Sequence, residues 1–84
     1  MNTLVWSTGF KRSFKHSIRR RPDLQERIEY ALKLLATDPQ HISLHTHKLK
    51  GDLAGSWACT VDFEYRIVFE FMRDPTTQEE IILL

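Results

Sequence analysis

The spacing of apolar residues changes partway along the chain. Near the start, in "TLVWS", Leu4 and Trp6 alternate with Thr3 and Val5, which predicts a short strand. Ser7 and Thr8 can cap a helix, and Phe10, Phe14 and Ile18 then recur every four residues as one apolar stripe. Pro22 ends that segment. Asp23, with Glu26 three residues on, has the capping-box pattern for a second helix. Its stripe is Leu24, Ile28, Ala31, Leu32 and Leu35, and "TDPQ" at 37–40 stops it. The two helices are expected to form an αα-hairpin around an Arg-Pro turn.

After residue 44 the period falls from about 3.6 to 2. Trp57, Cys59, Val61 and Phe63 alternate against Ala58, Thr60 and Asp62. Tyr65, Ile67, Phe69 and Phe71 alternate against Arg66, Val68, Glu70 and Met72. "EEIILL" predicts a last strand, "HKLK" a short one, and "GDLAG" a break whose two glycines are free to take positive φ. The order is β-α-α-β-β-β with one extra strand at 46–49. The expected class is α+β, a two-layer sandwich with both helices on one face of a mainly antiparallel sheet. The other face carries Thr60, Asp62, Arg66 and Glu70, and an open face with an arginine in its middle is a place for a ligand.

Eighty-four residues predict one domain spanning 1–84. No apolar run approaches the ~18 residues that span a bilayer, and no charged start precedes an apolar core, so the expectation is a cytoplasmic protein without membrane contact. The single cysteine, Cys59, excludes an internal disulfide. Net charge is only +1, but its distribution changes the picture. Lys11, Arg12, Lys15, Arg19, Arg20 and Arg21 fall together with no acid among them, and Lys48 and Lys50 add a second basic spot. Such a separation suits a polyanion on one side, or equally a solvated helix face.

Candidate chemistry narrows to a few residues. His45 and His47 share one side of a strand, but zinc needs three or four ligands and no second spaced pair exists, so no metal and no cofactor is expected. Cys59 and Trp57 lie in phase with the core. His47, Lys50 and Arg66 remain. RNA can be cut without metal when a base takes the proton of a ribose 2′-hydroxyl and cations stabilise the charge that builds on the adjacent phosphate. Histidine suits the base because its free pKa is about 6.5, and the arginine fork suits the phosphate. The bland alternative for each is a histidine near a turn, a solvated lysine, and an arginine paired with Glu64 or Glu70.

Residues 47–71, "HKLKGDLAGSWACTVDFEYRIVFEF", resemble the RelE/ParE superfamily of toxins from bacterial toxin–antitoxin pairs, nearest to its RelE/StbE, YafQ and YoeB branch. The pattern is "L-x-G-x-W", about eight residues, then "Y/H-R-[IL]-V-[FY]". The resemblance implies a RelE-like sandwich, ribosome-dependent cleavage of mRNA, and neutralisation by a bound antitoxin in a hetero-oligomer. Carried over, Arg66 in "EYRIVF" matches the phosphate-binding arginine, His47 in "HKLKG" the general base, and Lys50 a basic residue of the site. Lys11, Arg12, Lys15, Arg19, Arg20, Arg21 and Lys48 would hold rRNA through its phosphates. The second active-site arginine of the YoeB type falls at Thr60, and strand lysines of RelE fall at Trp57 and Cys59. Relatives usually continue past "EEIILL" with a segment like "IGTHDEVY", which supplies a general acid or orients the nucleotide. The chain as given implies impaired cleavage with the fold retained. Within the same resemblance stand a ParE-like gyrase poison, which needs no His47, and a non-catalytic antitoxin-binding module. Toxins of this kind keep apolar grooves for antitoxin segments, and burial of Val68 and Met72 would argue against such a contact at that spot.

Overall fold

A computed structural model describes residues 2–84. Strand β1 (Thr3–Val5) is followed by helices α1 (Thr8–Arg20) and α2 (Leu24–Thr37), then by β2 (His47–Lys48), β3 (Trp57–Thr60), β4 (Arg66–Arg73) and β5 (Glu80–Leu83). The strands form one sheet in the order β1-β5-β4-β3-β2. Every pairing is antiparallel except β1 with β5, which is parallel. The helices and strands therefore arise where the apolar periods place them, and the class is α+β as expected.

Ser7 starts α1 by accepting a hydrogen bond from the Phe10 N–H at 3.0 Å, a cap worth about 1 kcal/mol. The predicted capping box of α2 does not form. Asp23 sits in the helical region of backbone space and makes no side-chain cap, because its carboxylate is drawn instead to Arg21 at 3.0 Å. Gly51 and Gly55 do take positive φ, at 69° and 99°, and turn the chain between β2 and β3.

The two helices contribute unequally. Leu24, Ile28, Ala31, Leu32 and Leu35 of α2 are buried against Cys59, Ile67, Phe69 and Ile82 of the sheet, and Leu44 closes the same core. Each large side chain removed from water there contributes roughly 1.5–3 kcal/mol. No residue of α1 is fully buried. Its Phe10 and Phe14 instead pack edge-on against Trp6, at 4.9 and 5.3 Å between centroids, as a smaller cluster at the rim.

The third strand ends earlier than its alternation predicts. β3 stops at Thr60, and Phe63, expected in the core, is 89% exposed. The cause is Asp62, whose Oδ1 accepts from the Glu64 and Tyr65 N–H groups at 2.9 and 2.7 Å and folds the chain into a tight turn. The carboxylate of Asp62 is accordingly not on the open face; its side chain is 5% exposed and held by Arg21 at 2.9 Å.

Candidate active site

The face of the sheet away from α2 is built by strand register. His47 lies opposite Ala58, and Ala58 opposite Val68. Thr60 lies opposite Arg66. Residues directly opposite in an antiparallel pair point to the same face, as do residues two apart along a strand. His47, Ala58, Thr60, Arg66, Val68 and Glu70 therefore share one face, and His47 and Arg66 are both exposed on it. Two strand spacings and a two-residue offset put their Cα atoms ~12 Å apart. Ala58 and Thr60 lie between them in the register. Ala58 is buried and small, which leaves the middle of the face low.

His47 is locally prepared as a base. Its Nδ1 lies 2.8 Å from the His45 carbonyl oxygen. A carbonyl can only accept, so Nδ1 carries the proton and Nε2 presents its lone pair. His45 closes the 3-10 turn Ile42–Leu44 with φ 49° and ψ 43°, the left-handed region. That unusual backbone places its carbonyl beside the ring, and no sequence period signals it.

Arg66 is free of acids. Neither bland partner reaches it: Glu64 pairs with Arg21 at 3.6 Å, and Glu70 accepts from the Ser56 hydroxyl at 3.4 Å. Among the described residues the ion pairs belong to Arg21 and Arg73 alone. A planar fork without a carboxylate partner can take a phosphate through two donors.

The other expected site residues separate. Lys48 lies opposite Trp57 on the helix side of the sheet, with Nζ 5.4 Å from the centre of the Trp57 ring. Lys50 lies beyond the end of β2, exposed, with extended backbone (φ −121°, ψ 173°) at the start of the 3-10 turn Gly51–Leu53. Lys48 therefore does not extend the face of His47 and Arg66, and no strand pairing carries Lys50 onto it. Lys11, Arg12, Lys15 and Arg19 are exposed and form one stripe on α1, with Arg20 beside it. Lys11, Lys15 and Arg19 recur every turn, ~6 Å apart along the helix axis.

Arg21 leaves the group of free cations altogether. Half-buried at the end of α1, it binds Asp62 at 2.9 Å, Asp23 at 3.0 Å and Glu64 at 3.6 Å. Hydrogen bonds to Asp23 and Asp62 raise its pKa further above its ordinary value. Burial works against ionisation of Asp62, but two backbone N–H groups and Arg21 together outweigh it and hold the carboxyl below its usual range. Arg21 is a tether between α1 and the β3–β4 turn. The signal that could have found it is the run of acids at 62 and 64, close to the apex of a hairpin.

Cys59 is fully buried, and burial pushes its thiol up to about 11. The thiolate that a nucleophile or metal ligand requires is not available at neutral pH. Among the described residues no three His, Cys, Asp or Glu side chains gather as a metal site, and no helix is long and apolar enough to cross a membrane.

No protein-family model matches the sequence, and no curated protein matches it. Solved structures do. A YoeB/ParE toxin from Agrobacterium tumefaciens superposes with a TM-score of 0.76 at 22% identity, covering 96% of this chain and 90% of the other. YafQ from E. coli strain BL21(DE3) gives 0.79 at 15% identity, over 100% and 88%. A YoeB–YefM complex from Staphylococcus aureus gives 0.61 at 18%, over 99% and 92%. The chain thus has the fold of the RelE-like toxins, in the form shared by YoeB and YafQ.

Proposed function

We propose that this protein is the toxin of a toxin–antitoxin pair and cleaves mRNA on the open face of its sheet. The observation that carries the reading is the placing, on one face, of an exposed histidine whose Nδ1 is engaged by the His45 carbonyl and an arginine that no carboxylate neutralises. Nε2 of His47 would take the proton of a ribose 2′-hydroxyl. The freed oxygen attacks the adjacent phosphorus, the O2′–P bond forms, and the P–O5′ bond breaks to leave a 2′,3′-cyclic phosphate. Arg66 stabilises the charge on the phosphoryl oxygens. A water molecule protonates the departing 5′-oxygen. The Lys11–Lys15–Arg19 stripe would hold RNA, rRNA included, by phosphate charge without reading sequence. The likeness to the YoeB–YefM complex supports a protein antitoxin as partner.

The test is to map transcript 5′ ends after brief induction in a bacterial host. New ends within coding regions, lost with His47→Ala or Arg66→Ala, are expected; toxicity undiminished in both variants contradicts the assignment. One observation favours a second reading, gyrase inhibition without cleavage. Among the residues that strand pairing places on the face, Arg66 is the single lysine or arginine, fewer cations than a phosphoryl-transfer site commonly gathers. Intact transcripts together with loss of gyrase supercoiling in vitro would decide for it.

A further inference from the structure

Phe63 stands where an apolar ring gains nothing from the fold. It is 89% exposed at the tip of the β3–β4 turn. The turn that carries it is closed from within. The Val61 and Asp62 N–H groups donate to the Tyr65 carbonyl at 3.0 and 3.2 Å, and Asp62 Oδ1 accepts from the Glu64 and Tyr65 N–H groups. These bonds hold the ring outward whether or not Arg21 grips Asp62. Beside the turn, the last turns of α1 leave an open hollow of about 280 Å³, walled by His16, Ser17, Arg20, Glu64 and Tyr65 among others. Glu64, the residue after Phe63, makes ring and hollow neighbours. Its carboxylate is drawn to Arg21 at 3.6 Å, which offsets its charge. Arg20 is exposed and makes no ion pair among the described residues. The Ser17 and Tyr65 hydroxyls lie 3.3 Å apart. One hydrogen serves the bond between them, and the other O–H is left to donate.

We propose that Phe63 is a stacking platform for an unpaired base of the RNA strand that runs along α1. The hollow beside it takes the adjoining phosphate on Arg20 and the free hydroxyl. This rests on α1 as an RNA surface, as read above, and not on scission. Three features select the occupant. Arg19 and Arg20 form the last turn of α1, so a strand following the Lys11–Lys15–Arg19 stripe arrives at this turn with its phosphates already matched. The ring also stands alone. Among the described residues the other exposed large hydrophobics fall on β1, α2, β4 and the two 3-10 turns, none on α1 or beside Phe63 in the turn. A protein partner needs an apolar core within an interface of roughly 1,000 Å² or more, whereas a base needs one π-face and gains ~1–3 kcal/mol on it. Lastly, the ring is fixed by its turn, so little ordering opposes binding. A duplex keeps its bases paired and stacked, so the platform serves single strands.

The experiment compares a labelled, uncleavable 2′-O-methyl RNA as a single strand and as a duplex, by fluorescence anisotropy across a range of salt. Phe63→Ser is expected to weaken single-strand binding about tenfold while duplex affinity, the salt slope and the melting temperature stay as in the parent. Phe63→Tyr keeps the π-face and should restore the single-strand affinity. Arg20→Gln is the complement: it should lower the salt slope by about one. Unchanged single-strand affinity in Phe63→Ser, an equal loss on both RNAs, or no recovery in Phe63→Tyr would each overturn the proposal. So would a concentration-dependent dimer of the parent that Phe63→Ser abolishes, which would assign the ring to a second copy of the chain. The RNA is not cut in any arm, so failure of the nuclease reading is separately visible.

Discussion

Arg21 and Arg66 look alike in the sequence and differ in the fold. Arg21 stands half-buried at the corner where α1 meets the β3–β4 turn, with three carboxylates within 3.6 Å. Arg66 lies on the open face with none. The corner uses its cation to hold two elements together; the face keeps its cation available. The side of the sheet on which a charge emerges, and what already neutralises it, decide between structure and chemistry. Charge counting alone groups Arg21 with the other helix cations and allows Arg66 a surface ion pair; in the fold Arg21 is the paired one and Arg66 is not.

The contrast is broken most directly by truncating each side. His47→Ala and Arg66→Ala should each lower RNA cleavage by about 10²–10³-fold, with the melting temperature unchanged, since both side chains are exposed. Rates from single-turnover assays and melting by circular dichroism check both halves. Arg21→Ala should do the reverse. It leaves the Asp62 carboxylate enclosed without its cation, and the melting temperature should fall by roughly 5–10 °C while the affinity for RNA holds. If Arg21→Ala weakened RNA binding without loss of stability, Arg21 would belong to the interface after all.

A smaller effect is expected from pH. Asp62 and Asp23 have carboxyls held below their usual range, so the unfolded chain takes up their protons first as pH falls. Their contribution is complete above about pH 4, the unfolded value, and is lost as pH drops through the lower folded values. Denaturant midpoints between pH 6 and 2.5 should show this fall, and Asp62→Asn should flatten it. The smallest effect is electrostatic: Lys15→Gln or Arg19→Gln should each reduce the salt slope of RNA binding by about one, and Arg21→Gln should leave that slope alone.

Much of the fold was legible because local period and burial agree. Both helix stripes and the alternation of β4 are read directly from residue type, and Ile28, Leu35, Ile67 and Phe69 are buried where that reading puts them. Two local signals misled. The apolar-polar alternation runs on through Phe63, but an aspartate turn at Asp62 overrides it. Asp23 and Glu26 have capping-box spacing, but a stronger cationic partner takes the Asp23 carboxylate. The site was legible in part. That Arg66 sits on the open face follows from period 2, and the same rule separates Lys48 from His47. Bringing His47 to that face needs the β2–β3–β4 register, set by long-range pairing. The His45 carbonyl that fixes the imidazole depends on one left-handed residue, which has no sequence period.

The central claim is that one ribose 2′-oxygen is activated between residues 47 and 66. It is tested most directly with a matched pair of RNA substrates, one all-ribose and one with a single 2′-deoxyribose at the cleaved nucleotide, followed by analysis of the product 3′ ends. The account predicts 2′,3′-cyclic phosphate ends from the first and no cleavage of the second at that bond. Equal cleavage of both, or products ending in a 3′-hydroxyl, would contradict it.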